Sequence, residues 1–427
     1  MRKNRKKLLV AVSLTFMLLF AMAVTVNAAS KTVATIGNKK YTSLEKALKA
    51  VKNNETIVLR ANVNSAKHII ISRGKKFVLD LNKKTVSLGG DCILQVRNGT
   101  MTLKNGYMKK REGESLIHVG QEGSLIVKNG KYTGAIYVSG KLQTFGAVYQ
   151  PVEGGHWCLV VDNTGKVVIN KGTFSNNYSN GCIMDNYGKV TINGGTFKST
   201  VADGNMIGNW QKDAYMVVNG GIFVQTKRTI FCTDEKSKLI IKGGSFSAGA
   251  FCVWNNTGKV YIKGGSFRLL SGGEEENPAV IGNEGGTVNI YKGTLSSGTM
   301  RNARVAYNNK NMYIHGGTLK AAGNNDGIFV ANGGKLYLKG GIILHSAKDT
   351  PAIMVEKGSF NMTGGTVKTK GCCAAEVHSG SVNLSSGKVS VNNTSVVNKL
   401  KGTSVKVGKG VKISGLGEGC PVIQTLD

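Results

Sequence analysis

The hydrophobic positions of this chain alternate in short runs, and the runs recur. In Gly165–Phe174 (Gly-Lys-Val-Val-Ile-Asn-Lys-Gly-Thr-Phe), Val167 and Ile169 take one side of the backbone and Lys166, Val168 and Asn170 the other. Apolar residues two apart predict a strand with one buried face. Gly188–Phe197 and Gly258–Phe267 repeat the segment closely. Looser copies occupy Tyr215–Phe223, Ser237–Phe246, Gly286–Leu295, Asn311–Leu319, Gly334–Ile343, Gly358–Val367 and Gly380–Val389. Two residues before the end of each copy stands a glycine: Gly172, Gly195, Gly221, Gly244, Gly265, Gly293, Gly317, Gly341, Gly365 and Gly387. Their mean spacing is about 24 residues. A fixed period of that size predicts a solenoid.

A second strand precedes each copy, as in Cys158–Val161, Cys182–Met184, Phe251–Trp254 and Gly327–Val330. Corners with Asn163, Asn186, Asn255, Asn283 or Asn332 separate the two, and the Thr-Phe or Ser-Phe end opens a third strand. Three strands and three corners per repeat make one coil of an all-β, single-stranded parallel β-helix of about 14 coils. The chain has only 4 prolines, as befits strands that are all interior to a ladder. The leucine/asparagine spacing of a leucine-rich repeat is missing, and no amphipathic helices alternate with the strands.

The Val-x-Ile-x-Gly-Gly-Thr-Phe coils resemble those of exported bacterial proteins in the pectate-lyase-like superfamily of right-handed parallel β-helices. The resemblance spans residues 55–415 and implies right-handed coils. It does not bring that superfamily's catalytic residues with it. The lyase arginine segment Arg-x-Pro-x-x-Arg has no counterpart, since Arg301-Asn-Ala-Arg304 lacks the proline; the Asn-Thr-Asp and Gly-His-Gly signatures of the polygalacturonases are missing too.

In chain order, residues 1–28 read as a secretory signal peptide. Arg2, Lys3, Arg5, Lys6 and Lys7 precede an apolar run from Leu8 to Val26, and small residues flank the cut after Ala28. Residues 29–54 form an N-terminal cap with a helix over 42–52, started by the capping box Thr42-Ser43-Leu44-Glu45 and burying Leu44, Ala47, Leu48 and Val51. Residues 55–415 are the β-helix, with an irregular run at Gly140–Val148 and an acidic insert at Glu274–Glu276. Residues 416–427 are a C-terminal tail or cap. No transmembrane segment is expected after signal cleavage, and the protein is expected to be secreted, extracellular or associated with the cell wall.

Seven of the eight cysteines, all but Cys420, are expected to share one column of the coil as thiols, a Cys158–Cys182 bridge being the alternative; no Cys-x-x-Cys or histidine spacing points to zinc. The formal charge of +32 falls to about +27 without the leader. The lysines repeat with the coil. Lys166, Lys189, Lys238, Lys259 and Lys335 precede the first inward residue, while Lys104, Lys128, Lys242, Lys263 and Lys339 follow the second. Stacked coils turn these into two basic stripes, suited to a repeating polyanion. Tyr261, Tyr313 and Tyr337 point outward between them as sugar-stacking candidates. Asp162 and Asp185 each stand three residues before a copy's first glycine, which suggests adjacent carboxylates for acid/base work or calcium, near His156, Trp157 and Trp210.

The expected function is binding of acidic polysaccharide or wall polymer, adhesin-like and non-catalytic, without cofactor or metal and without specific nucleic-acid recognition. The alternative is a polysaccharide lyase or glycoside hydrolase with a non-standard site.

Overall fold

The computed structural model describes residues 31–72, 74–178, 181–200, 204–234, 236–271 and 276–426. The expected signal peptide and Glu274 and Glu275 of the acidic insert lie outside the described residues. The chain is an all-β parallel solenoid of about 15 turns, one more than the repeat spacing suggests.

Each turn lays one strand on each of three faces, and the strands of the turns pair in parallel with their counterparts in the next turn. The first face holds Leu159–Val161, Met184–Asn186, Ile207–Asn209 and Phe231–Thr233. The second holds Lys189–Ile192, Tyr215–Val218, Lys238–Ile241 and Lys259–Ile262. The third holds Thr196–Ser199, Ile222–Gln225, Ser245–Ala248 and Ser266–Leu269. The alternation seen in the sequence is the burial pattern: Val167, Ile169, Val190, Ile192, Val260 and Ile262 are all at most 1% exposed.

The ten repeat glycines sit at the corner from the second face to the third, with φ from +77° to +145°. An L side chain is strained there. At Gly244 a Cβ would also lie 2.9 Å from the Phe246 ring and 3.1 Å from the Gly221 carbonyl oxygen of the turn below.

Two ladders run through the largely aliphatic interior. Behind the third face the rings of Tyr132, Tyr149, Phe174, Phe197, Phe223, Phe246 and Phe267 stack with centroid spacings of 4.4–5.5 Å. The spacing is imposed by strands about 4.8 Å apart. Inside the first face runs a polar ladder. Asn186 Nδ2 donates to Asn209 Oδ1 (2.7 Å), Thr233 Oγ1 to Asn255 Oδ1 (2.6 Å), Asn255 Nδ2 to Asn283 Oδ1 (2.8 Å) and Asn283 Nδ2 to Asn308 Oδ1 (2.7 Å). Asn186, Asn255 and Asn283, expected at corners, are therefore buried rungs at 0% exposure. A buried amide costs free energy unless paired, and repetition pairs each with the next.

The helix runs over Leu44–Ala50, shorter than the expected 42–52. Its cap is Ser43, whose hydroxyl accepts from the Lys46 amide, so Glu45 falls in the first turn and closes no capping box. Leu44, Ala47 and Val51 are buried as expected. The sequence reading missed an antiparallel hairpin, Ala34–Ile36 with Lys39–Tyr41, whose first strand also pairs antiparallel with Thr56–Leu59 and covers the edge of the second face.

Three other expectations change. The irregularity expected over Gly140–Val148 narrows to its second half: Lys141–Thr144 pairs in register with the next turn, with Leu142 and Thr144 inward, and the register shifts on both sides of Phe145 before pairing resumes at Val148. Residues near the C-terminus extend the fold, since Ile423–Leu426 adds a strand to the first face beside Val397–Leu400. The cysteines, all free thiols, do not share a column. Cys158 and Cys252 immediately precede first-face strands and Cys182 and Cys373 stand two residues before theirs, but Cys232 lies within Phe231–Thr233.

Candidate binding faces

The outward side of the second face carries the first lysine column. Read turn by turn, its residues are Lys141, Lys166, Lys189, Tyr215, Lys238, Lys259, Thr287, Asn311 and Lys335. Lys141, Lys166 and Lys189 are thus direct ladder neighbours, and so are Lys238 and Lys259. Tyr215 divides the two groups, and the Lys238 ammonium sits 5.5 Å from its ring centre and 5.2 Å from that of Tyr261. Lys335 stands apart beyond Thr287 and Asn311. The sequence reading passed over Lys141 because the inward partners there are Leu142 and Thr144 instead of valine and isoleucine.

The second column is in register but broken. Lys104 pairs with Asp80 at 3.3 Å, and the Lys128 ammonium lies 3.9 Å from the Phe145 ring centre. Then come three asparagines, Asn219 donating to Asn193 (2.8 Å) and Asn193 to Asn170 (2.9 Å). Lys242 and Lys263 follow, next Tyr291 stacked on His315 at 4.5 Å, then Lys339. Burial and the Lys339 charge both lower the pKa of His315.

The tyrosines are occupied. Tyr313 and Tyr337 stack on each other at 4.8 Å and 8°, with the Lys339 ammonium 5.3 Å from the Tyr313 ring centre. Asn289 separates Tyr261 from that pair. The three therefore do not make a continuous platform for sugars.

Asp162 and Asp185 are not ladder neighbours. The first-face register sets Asp185 beside Val160, because Val161 pairs with Asn186 while Lys166 pairs with Lys189. The corner is two residues shorter in the later turn, so counting back from the glycine misaligns them. Asp162 is exposed and accepts from Ser139 Oγ (3.0 Å) and the Asn163 amide (2.7 Å). Asp185 is clamped by two indoles, accepting from Trp157 Nε1 (2.7 Å) and Trp210 Nε1 (2.6 Å). His156 turns away to Glu114, at 2.6 Å.

The clamp belongs to a feature that the repeat count hides: all 3 tryptophans lie on the outer side of the first face. Trp210 folds over Gly208 and Trp254 over Gly282; a Cβ at either glycine would fall 2.2–2.3 Å from the indole. Beyond Trp254, Tyr307 and Phe329 continue the row with planes 6–8° apart and centroids 6.5 and 5.9 Å apart. The Arg304 guanidinium lies 4.7 Å from the Phe329 ring centre and pairs with Asp326. Trp254, Tyr307, Phe329 and Arg304, with Phe251, Asn277 and Glu284, line a shallow depression of about 400 Å³.

Among the described residues no helix is long and apolar enough to cross a membrane. The chain matches no known protein family, no curated protein and no solved structure.

Proposed function

We propose that this chain is an exported right-handed β-helix of the pectate-lyase-like kind that binds an anionic glycopolymer along its second face. The observation that carries the reading is the ladder Lys141–Lys166–Lys189 with Lys238–Lys259 above it. Strands about 4.8 Å apart repeat a positive charge at that pitch. A polymer with a regular charge repeat, phosphodiester or uronate, can follow such a row and release its counterions on binding. The second column's Lys242, Lys263 and Lys339 widen the positive field around the row, while Lys104 spends its charge on Asp80. Secretion and wall association rest on the basic, then apolar, first 28 residues. Calcium at Asp162 and Asp185 gains no support from the register, and the indole clamp leaves Asp185 poorly placed for acid/base work.

The test is binding of poly(glycerol phosphate) and of polygalacturonate by the mature chain at two salt concentrations. Lys166→Gln/Lys189→Gln/Lys238→Gln/Lys259→Gln is expected to weaken binding at least tenfold and to flatten its salt dependence. Unchanged affinity in that variant, or affinity indifferent to salt, rules the reading out.

A further inference from the structure

Near the C-terminal end of the solenoid the sequence reads Cys372-Cys373-Ala-Ala-Glu376-Val-His378. It contains no Cys-x-x-Cys, so a search for zinc spacing passes it by. Folding concentrates the donors. Cys372 and Cys373 occupy the corner that leads into the first-face strand Ala375–Val377, and Glu376 is the outward residue of that strand. The donor atoms of Cys372, Cys373 and Glu376 all lie within 4.8 Å of one another.

The two sulfurs are 3.7 Å apart. A tetrahedral ion with metal–sulfur bonds of about 2.3 Å holds two thiolates about 3.8 Å apart, so the pair already has the spacing of a shared ligand set. The carboxylate is oriented from behind: Glu376 Oε1 meets His378 Nε2 at 2.8 Å, and His378 Nδ1 meets Glu356 Oε2 at 2.8 Å. Such a carboxylate–histidine–carboxylate relay is how outer groups fix a metal ligand's direction. Cys373 is fully buried while Cys372 and Glu376 are half-buried, so the cluster has one face toward solvent.

We propose that Cys372, Cys373 and Glu376 bind one divalent, thiophilic metal ion of the zinc type, with a fourth position open to water. Soft sulfur donors select zinc, cadmium or cobalt over calcium and magnesium. Binding displaces the thiol protons, and three anionic donors then face a dipositive ion on an otherwise basic molecule.

Cobalt(II) titration of the reduced, chelator-treated full chain tests this. The expected result is one cobalt per chain, a thiolate-to-cobalt charge-transfer band, and a melting temperature raised by the metal. Cys372→Ser, at a half-exposed position, is expected to lose both responses while melting like the metal-free parent. Glu376→Gln is expected to keep the band and bind about tenfold more weakly. Absence of a thiolate band in the parent, or the same band in Cys372→Ser, overturns the site.

Discussion

At the scale of single residues, the fold's demands are local and repeated. His345 shows the consequence for pH. It points inward on the third face, 3% exposed, with Nδ1 3.0 Å from Thr369 Oγ1 and Nε2 3.0 Å from the Asn325 carbonyl oxygen. Burial lowers its pKa, against smaller upward pulls from the Asn325 carbonyl and Asp326. The unfolded chain protonates this side chain near pH ~6.5. A depressed folded pKa means that the unfolded state takes up the proton first. The contribution to stability is therefore complete above pH ~6.5 and is lost as pH falls toward the folded value. His345→Gln is expected to reduce the fall in melting temperature between neutral and mildly acidic buffer; an identical pH profile in the variant would refute the assignment.

At the scale of elements, each ladder works because neighbouring turns offer the same group in the same place. The asparagine rungs illustrate the cost of interrupting it. Asn255 accepts from Thr233 and donates to Asn283, and all three are fully buried. Asn255→Ala strands a hydroxyl on one side and an amide oxygen on the other. A loss of about 1–3 kcal/mol is expected, on the scale of buried unsatisfied partners. Urea melts followed by hydrogen exchange check it: protection should fall first in the turns around 233–283. A loss spread evenly over the solenoid would contradict nearest-neighbour coupling of the turns.

At the scale of the whole molecule, charge sets the behaviour. Ammonium groups about 4.8 Å apart repel by about 0.9 kcal/mol in bulk water, less in salt. The lysine row thus opposes folding slightly. The four-lysine glutamine variant is expected to melt a few degrees higher than the parent in low salt and at the same temperature in high salt. A variant less stable at both would mean that the lysine stems support the sheet by packing and that repulsion is negligible.

The sequence by itself determined the coil. Val167, Ile169 and Gly172, with their copies, state which side is buried and where the chain must bend, because alternation and positive φ are properties of one strand and one corner. The lysine column was legible for the same reason: it belongs to the strand that carries the repeat. Corners were not legible. The two-residue difference between the turns of Asp162 and Asp185 is invisible until strands pair, and pairing is a tertiary event. The indole clamp on Asp185, the aromatic row from Trp254 to Phe329 and the Cys372–Cys373–Glu376 cluster were likewise decided by the tertiary structure. The first two join residues from corners and successive turns, whose closeness depends on how each turn registers on the next; the third depends on how one corner folds back on its own strand, with Glu356 of the neighbouring turn behind His378. No local period encodes either.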